Sequence, residues 1–91
     1  MNTKLCIGDL VKSLKGRDEG RKLLVVEVNG NKAVVVNGRQ RKLQNPKTKN
    51  VKHLCKLEVE SLEMLATEIQ SGKLVGNERV YKSIAQKIKE D

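Results

Sequence analysis

The chain is poor in aromatic side chains: its 91 residues include no Trp or Phe, and Tyr81 is the single aromatic residue. Val and Leu carry nearly all of the apolar load, so we expect a small aliphatic core. Proteins that bind single-stranded nucleic acid need exposed rings on which bases stack. The shortage of rings argues against that class, and Tyr81, which falls in a helical apolar stripe, is predicted to be a core residue.

Long apolar runs and cysteines are also scarce. No run approaches the about 18 apolar residues of a membrane span, and the amino terminus lacks the apolar segment of a signal peptide. The two cysteines, Cys6 and Cys55, are too few for a disulfide framework. A cytoplasmic protein with free thiols is therefore expected.

The only histidine, His53, lies two residues before Cys55. Together with Cys6 these residues lack the paired spacing and the fourth ligand of a structural zinc site. A Cys–His pair can activate a thiolate, but here no oxyanion donor or substrate pocket is recognisable. We therefore predict no metal site, no cofactor and no catalytic residue, which means a protein that is not an enzyme.

The net charge of +8 is unevenly distributed along the chain. Residues 1–57 hold 14 Lys and Arg against four acids, whereas residues 58–91 hold five against seven. This contrast predicts a basic body over 1–57 and a mildly acidic extension over 58–91. Such asymmetry points to a polyanionic partner for the body.

Residues 23–43 predict a three-stranded meander. Three β-branched runs are joined by Asn29-Gly30 and Asn37-Gly38, pairs that favour type I′ hairpin turns because both central residues need positive φ. The third strand would carry three cations directly after the second turn, namely Arg39, Arg41 and Lys42. In the first strand, alternation predicts one face with Leu24, Val26 and Val28, and an opposite face with Leu23, Val25 and Glu27.

Two further strands complete the predicted sheet. Residues 9–14 favour a first strand, and residues 15–20, with two glycines around three charged residues, favour a loop that projects from the sheet. Residues 44–50 contain the only proline and are predicted to be a loop. A fifth strand over about 51–57 would return beside the first. Five short antiparallel strands suggest a small, partly open barrel.

From residue 61 the apolar period changes to that of a helix. Leu62, Leu65, Ala66 and Ile69 predict a helix over 61–70, capped by Ser61 and closed at Gly72. A second helix would begin at the cap Asn77, bury a face made of Val80, Tyr81, Ile84, Ala85 and Ile88, and carry Lys87 and Lys89 in its last turn. The helices would either cover the barrel or pair with another chain, giving a monomer or a weak dimer.

Four segments together resemble KOW-domain proteins: Gly8-Asp9-Leu10-Val11, the 16–20 loop Gly-Arg-Asp-Glu-Gly, Val25-Val26, and the run Pro46-Lys47-Thr48-Lys49-Asn50-Val51-Lys52-His53-Leu54. The nearest likeness is to the branch similar to a eukaryotic and archaeal large-subunit ribosomal protein, which has bacterial relatives of about this size. The resemblance covers roughly residues 4–57. It implies a five-stranded SH3-like barrel with a bend glycine at Gly20, followed here by two short helices. It also implies RNA binding in translation or on the ribosome, without enzymatic activity.

Basic residues on the predicted loops and strands are the expected RNA contacts. Residues 37–56 hold seven Lys and Arg and no acid. The guanidinium of arginine can form bidentate hydrogen bonds with phosphate oxygens, whereas the ammonium of lysine acts as a point charge. The predicted RNA-binding residues are Arg17, Arg21, Lys22, Arg39, Arg41, Lys42, Lys47, Lys49 and Lys52.

The shortage of rings favours structured RNA that is read through its shape, phosphates and 2′-hydroxyls. Ribosomal RNA is the expected partner, and the ribosome is a further candidate. The alternative is a protein-interaction module of the transcription or translation machinery that docks through the barrel or the acidic helical tail.

Overall fold

A computed structural model describes residues 4–88 as an antiparallel sheet of five strands followed by two helices. The elements are β1 (Leu10–Ser13), β2 (Lys22–Asn29), β3 (Lys32–Val36), β4 (Lys47–Asn50), β5 (Leu54–Lys56), α1 (Glu63–Gln70) and α2 (Asn77–Lys87). The strand order is β4-β3-β2-β1-β5, so the last strand returns beside the first as predicted. Within residues 4–88, no helix is long and apolar enough to cross a membrane.

Both faces of the sheet are buried by aliphatic side chains. On one face, residues of β1, β2 and β3 pack against both helices, in a cluster of Leu10, Leu24, Val26, Val36, Leu65, Ala66, Val80 and Ile84. On the other face a second cluster contains Leu5, Val11, Leu23, Val25, Ala33, Val35 and Leu54. The aliphatic core is therefore confirmed, and the apolar stripes of the helices cover the sheet.

A β-bulge in β2 changes the predicted alternation. The register with β3 shifts between Val25 and Glu27, so Val26 is the extra residue of the bulge. One extra residue reverses which face the following side chains occupy. Val28 accordingly packs on the face of Val25, and its predicted place beside Leu24 is wrong.

The first hairpin forms, but its turn differs from the predicted one. Asn29 pairs with Lys32, which leaves Gly30 and Asn31 as the central residues. Gly30 has a φ of 58°, and no residue other than glycine within residues 4–88 has positive φ. A turn with positive φ only at its first central residue has the pattern of type II′, so the predicted type I′ turn is wrong.

The second predicted hairpin does not form, and residues 37–46 are a loop. The side chain of Asn37 binds the backbone of this loop: its Oδ1 accepts hydrogen bonds from the N–H groups of Arg39 and Arg41 at 3.0 and 2.9 Å. The predicted third meander strand is therefore wrong. On the side of β3 that faces away from β2, the pairing strand is β4, which begins directly after Pro46 in a segment predicted to be a loop.

The predicted fifth strand is shorter than expected. A single 3-10 turn occupies Val51–His53, and the side chain of Asn50 caps it by accepting a hydrogen bond from the Lys52 N–H. Only Leu54–Lys56 then pairs with β1. Both thiols, Cys6 and Cys55, are free and exposed.

Each helix begins against a glycine with positive φ. At Gly8, with a φ of 96°, an added Cβ would lie 2.6 Å from the Glu63 Cα at the start of α1. At Gly38, with a φ of 79°, an added Cβ would clash with the Asn77 carbonyl oxygen at the start of α2. Both positions need the φ and the missing side chain of glycine. The two glycines therefore set where the helices dock.

The predicted helix caps are only partly correct. The residues before α1 and α2 are Leu62 and Gly76, and neither supplies a side-chain cap. Asn77 is instead the first residue of α2, and its Oδ1 accepts a hydrogen bond from the Leu43 N–H at 2.7 Å. Gly72 does follow α1 with positive φ. Lys87 lies in the last turn of α2, and Lys89 lies outside the described residues.

Candidate functional site

A buried carboxylate joins three basic side chains that are far apart in the sequence. The 15–20 loop does not project as predicted, because a 3-10 turn over Gly16–Asp18 leaves the Asp18 side chain fully buried. Its Oδ1 accepts a hydrogen bond from Arg21 Nη1 at 2.9 Å. Its Oδ2 lies 2.9 Å from both Nε and Nη2 of Arg41, and 3.6 Å from Lys49 Nζ. We call these four residues the Asp18 cluster.

The cluster connects elements that no strand pairing connects. Arg21 precedes β2, Arg41 lies in the 37–46 loop, and Lys49 lies in the edge strand β4. The Lys49 ammonium also donates to the Lys15 carbonyl oxygen at 3.4 Å. The cluster therefore fixes both loops against the edge of the sheet.

The charges of the Asp18 cluster keep the carboxylate of Asp18 ionised and leave the cluster with a net positive charge. Burial alone would raise the pKa of Asp18, but hydrogen bonds from Arg21 and Arg41 and the charges of Arg41 and Lys49 outweigh it and lower that pKa. Three cations around one carboxylate leave a surplus of two positive charges. Side-chain exposures of 40% for Arg21, 21% for Arg41 and 10% for Lys49 keep part of that charge at the surface.

The remaining predicted RNA-binding residues divide into two groups. Lys22 is half-buried on β2, and Arg39 packs on α2. Arg17, Lys42, Lys47 and Lys52 are exposed, and none of these four side chains forms an ion pair or hydrogen bond within the described part of the chain. Lys47 and Lys49 lie on the same face of β4, since they alternate with Thr48.

Tyr81 is exposed, contrary to its prediction as a core residue. Val80 and Ile84 are the buried residues of α2, which places Tyr81 at the rim of the apolar face with 41% of its surface accessible. The Arg39 guanidinium carbon lies 3.9 Å from the Tyr81 ring centroid, a cation–π arrangement. Arg39 Nη2 also lies 3.4 Å from Glu78 Oε1. The 37–46 loop therefore contacts α2 through Arg39.

A groove of about 570 Å³ separates α2 from the start of β2. Its lining includes two cations and an amide on one side and an aromatic ring with an apolar wall on the other, namely Arg21, Lys22, Gln40, Tyr81, Ile84 and Ala85. Arg21 belongs to both the groove and the Asp18 cluster. The two features form one continuous surface.

Asp18, Gln40 and Tyr81 are residues of this surface that the sequence analysis did not assign to a site. One local signal for Asp18 existed, because it lies in a glycine-bounded turn within the strongly basic half of the chain. Because basic residues far outnumber acids in that half, an acid buried there is a natural partner for several cations. No pattern in the sequence marks Gln40, whose position depends on the Asn37 turn.

No protein-family model matches the chain, and a search of curated proteins finds no significant match. Function must therefore be inferred from the geometry and charge of the cluster, the groove and the exposed cations around them.

Proposed function

We propose that this chain is a non-enzymatic RNA-binding protein that grips the phosphates of structured RNA, with ribosomal RNA as the expected partner. The observation that carries the proposal is the Asp18 cluster, where one buried carboxylate holds three partly exposed cations in fixed positions. A structural ion pair needs one cation for each carboxylate. The surplus of positive charge suits an anionic partner.

Fixed arginines suit phosphate recognition for an entropic reason. A guanidinium has five N–H donors, and Arg41 directs only its Nε and Nη2 groups at Asp18 Oδ2. The other donors of this partly exposed side chain stay available to phosphate oxygens. Because the carboxylate already restricts the side chain, less conformational entropy is lost on binding.

The exposed cations extend the surface beyond the cluster. Arg17 belongs to the same turn as Asp18, Lys42 follows Arg41, and Lys47 shares a face of β4 with Lys49. As side chains without an ion-pair partner among residues 4–88, they supply charge at little desolvation cost. Contacts of this kind position RNA through its backbone.

The fold supports the proposed relationship to KOW proteins. The strand order brings β5 beside β1, as expected if the sheet closes into an SH3-like barrel. Gly20, the proposed bend glycine, has a φ of 87°. We include barrel closure and the KOW relationship in the proposal, and the two helices as a cover over one face of the sheet.

A pair of matched charge reversals tests the RNA surface. Lys47→Glu alters an exposed cation beside the cluster, whereas Lys73→Glu alters an exposed cation between the helices, and both change the net charge equally. Affinity for a structured RNA would be measured over a range of salt concentrations. We expect Lys47→Glu to weaken binding and to reduce the salt slope by about one unit or more, with Lys73→Glu close to wild type. Equal weakening by both variants would contradict a localised surface and indicate diffuse charge attraction.

A further inference from the structure

We infer that the groove beside α2 accepts one unpaired nucleotide of the bound RNA, so that the protein recognises a bulge or loop next to a duplex. This inference rests on the proposed function, because the RNA backbone must lie on the Asp18 cluster for a base to reach the groove. The groove, at about 570 Å³, is within the range of about 300–1,000 Å³ typical of small-ligand sites.

Arg21 connects the groove to the cluster. Its Nη1 donates to Asp18 Oδ1, while the same side chain lines the groove and remains 40% exposed. A phosphate held by Arg21 would therefore lie at the mouth of the groove. The nucleotide attached to that phosphate could place its base inside without leaving the basic surface.

Tyr81 provides an aromatic surface for such a base. Its ring lines the groove, and Arg39 packs on the ring at 3.9 Å from the centroid, which holds the ring in position. Ile84 and Ala85 continue the wall along α2. Stacking on a ring beside aliphatic side chains is how proteins hold unstacked bases.

Gln40 adds a polar group that can contact a base edge. Its Oε1 accepts a hydrogen bond from Asn37 Nδ2 at 2.8 Å, which fixes the orientation of the amide. Its Nε2 forms no hydrogen bond with any residue from 4 to 88 and can donate to a base. The groove thus combines charge, a ring and a hydrogen-bond donor, three features that suit the phosphate, the base face and the base edge of a nucleotide.

The test compares two RNA duplexes that differ by a single bulged nucleotide. Affinities of the full chain for each duplex would be measured by fluorescence anisotropy of a dye on the RNA. Tyr81 is the only aromatic residue, so quenching of intrinsic emission, corrected with free tyrosine amide, reports on the groove alone. We expect the bulged duplex to bind about 5- to 150-fold more tightly, as stacking of one base predicts, and to quench Tyr81 more strongly.

Three variants connect this preference to the groove. Tyr81→Ala removes the ring, Tyr81→Phe keeps it, and Ala85→Met fills the groove with a residue that favours helix. We expect Tyr81→Ala and Ala85→Met to lose the preference and Tyr81→Phe to retain it. Equal wild-type affinity for both duplexes, or a preference that survives Tyr81→Ala, would overturn the inference while salt-dependent binding remained. Absence of salt-dependent binding to either duplex would overturn the proposed function as well.

Discussion

Arg41 and Asp18, 23 residues apart in the sequence, meet through two nitrogens and one oxygen: Nε and Nη2 of Arg41 both lie 2.9 Å from Asp18 Oδ2. The contact ties the 37–46 loop to the 15–20 loop. It also holds a partly exposed guanidinium within the Asp18 cluster. The same interaction therefore stabilises the fold and positions the proposed phosphate-binding group.

Asp18→Asn should destabilise the protein because it removes the negative charge shared by three cations. We expect a loss of about 2–3 kcal/mol in the free energy of unfolding, less than for a fully buried pair because the cations are partly exposed. The matched control is Asp9→Asn, because this other buried aspartate has only one nearby cation, the partly exposed Lys56 at 3.8 Å, and accepts from the Cys6 N–H, which an amide oxygen can also do. Urea unfolding measures both variants, and a larger loss for Asp9→Asn would contradict the account.

The pH dependence of stability should report on the same carboxylate. The pKa of Asp18 is lower in the folded protein than its ordinary value of 3.8, so the unfolded chain takes up the proton first as pH falls. The stabilisation is complete above about pH 5 and is lost as the pH falls through the folded pKa. Asp18→Asn should lack this component. The pKa of Glu60 is also lowered, by its hydrogen bond from Lys87, and its contribution is common to both proteins. Identical pH profiles of the two proteins would refute the assignment.

The RNA affinities of two aspartate variants should distinguish an effect of net charge from an effect of holding Arg21 and Arg41 in position. Asp18→Asn and Asp9→Asn each remove one negative charge and so raise the net charge by one, and bulk electrostatics therefore predicts tighter RNA binding for both. We expect Asp18→Asn instead to bind about tenfold more weakly, because Arg21 and Arg41 lose the carboxylate that orients them. Asp9→Asn should match or slightly exceed wild type. Tighter binding by Asp18→Asn would show that the carboxylate only reduces the charge.

Gly38→Ala should be much more harmful than Gly30→Ala. Both glycines have positive φ, so each substitution carries a conformational cost of about 1–2 kcal/mol. At Gly38 the added Cβ would also meet the Asn77 carbonyl oxygen, whereas at Gly30 nothing lies within 4 Å. We expect a loss of about 3–4 kcal/mol at Gly38, the clash adding to the strain. Thermal unfolding of both variants would measure the two losses of stability, and RNA affinity would be measured below the unfolding transition. Similar losses of stability at both sites would exclude a role of Gly38 in docking α2.

Local patterns predicted the parts of the fold that depend on neighbouring residues. The β-branched runs on either side of Asn29-Gly30 indicated β2 and β3, and helical spacing located α1 and α2. The second Asn-Gly pair was misleading because the Asn37 side chain binds the backbone of its own loop. That bonding keeps 37–46 out of the sheet and moves the next strand to β4.

The candidate site was predicted only as a list of cations. Its organisation depends on long-range contacts, since Asp18 gathers Arg21, Arg41 and Lys49 from three elements. The exposure of Tyr81 likewise depends on how Gly38 seats α2 against the loop. The spacing of residues within one strand or helix does not indicate contacts between different elements. Neither the Asp18 cluster nor the groove could therefore be predicted from it.

The salt dependence of RNA binding tests the central proposal most directly. If about five phosphates are neutralised by the Asp18 cluster and its exposed neighbours, the logarithm of the association constant should fall with the logarithm of salt concentration at a slope of about −3.5 to −4.5. The measurement needs only the full chain and a labelled structured RNA. A slope in that range is the predicted result, and an affinity independent of salt would contradict the account.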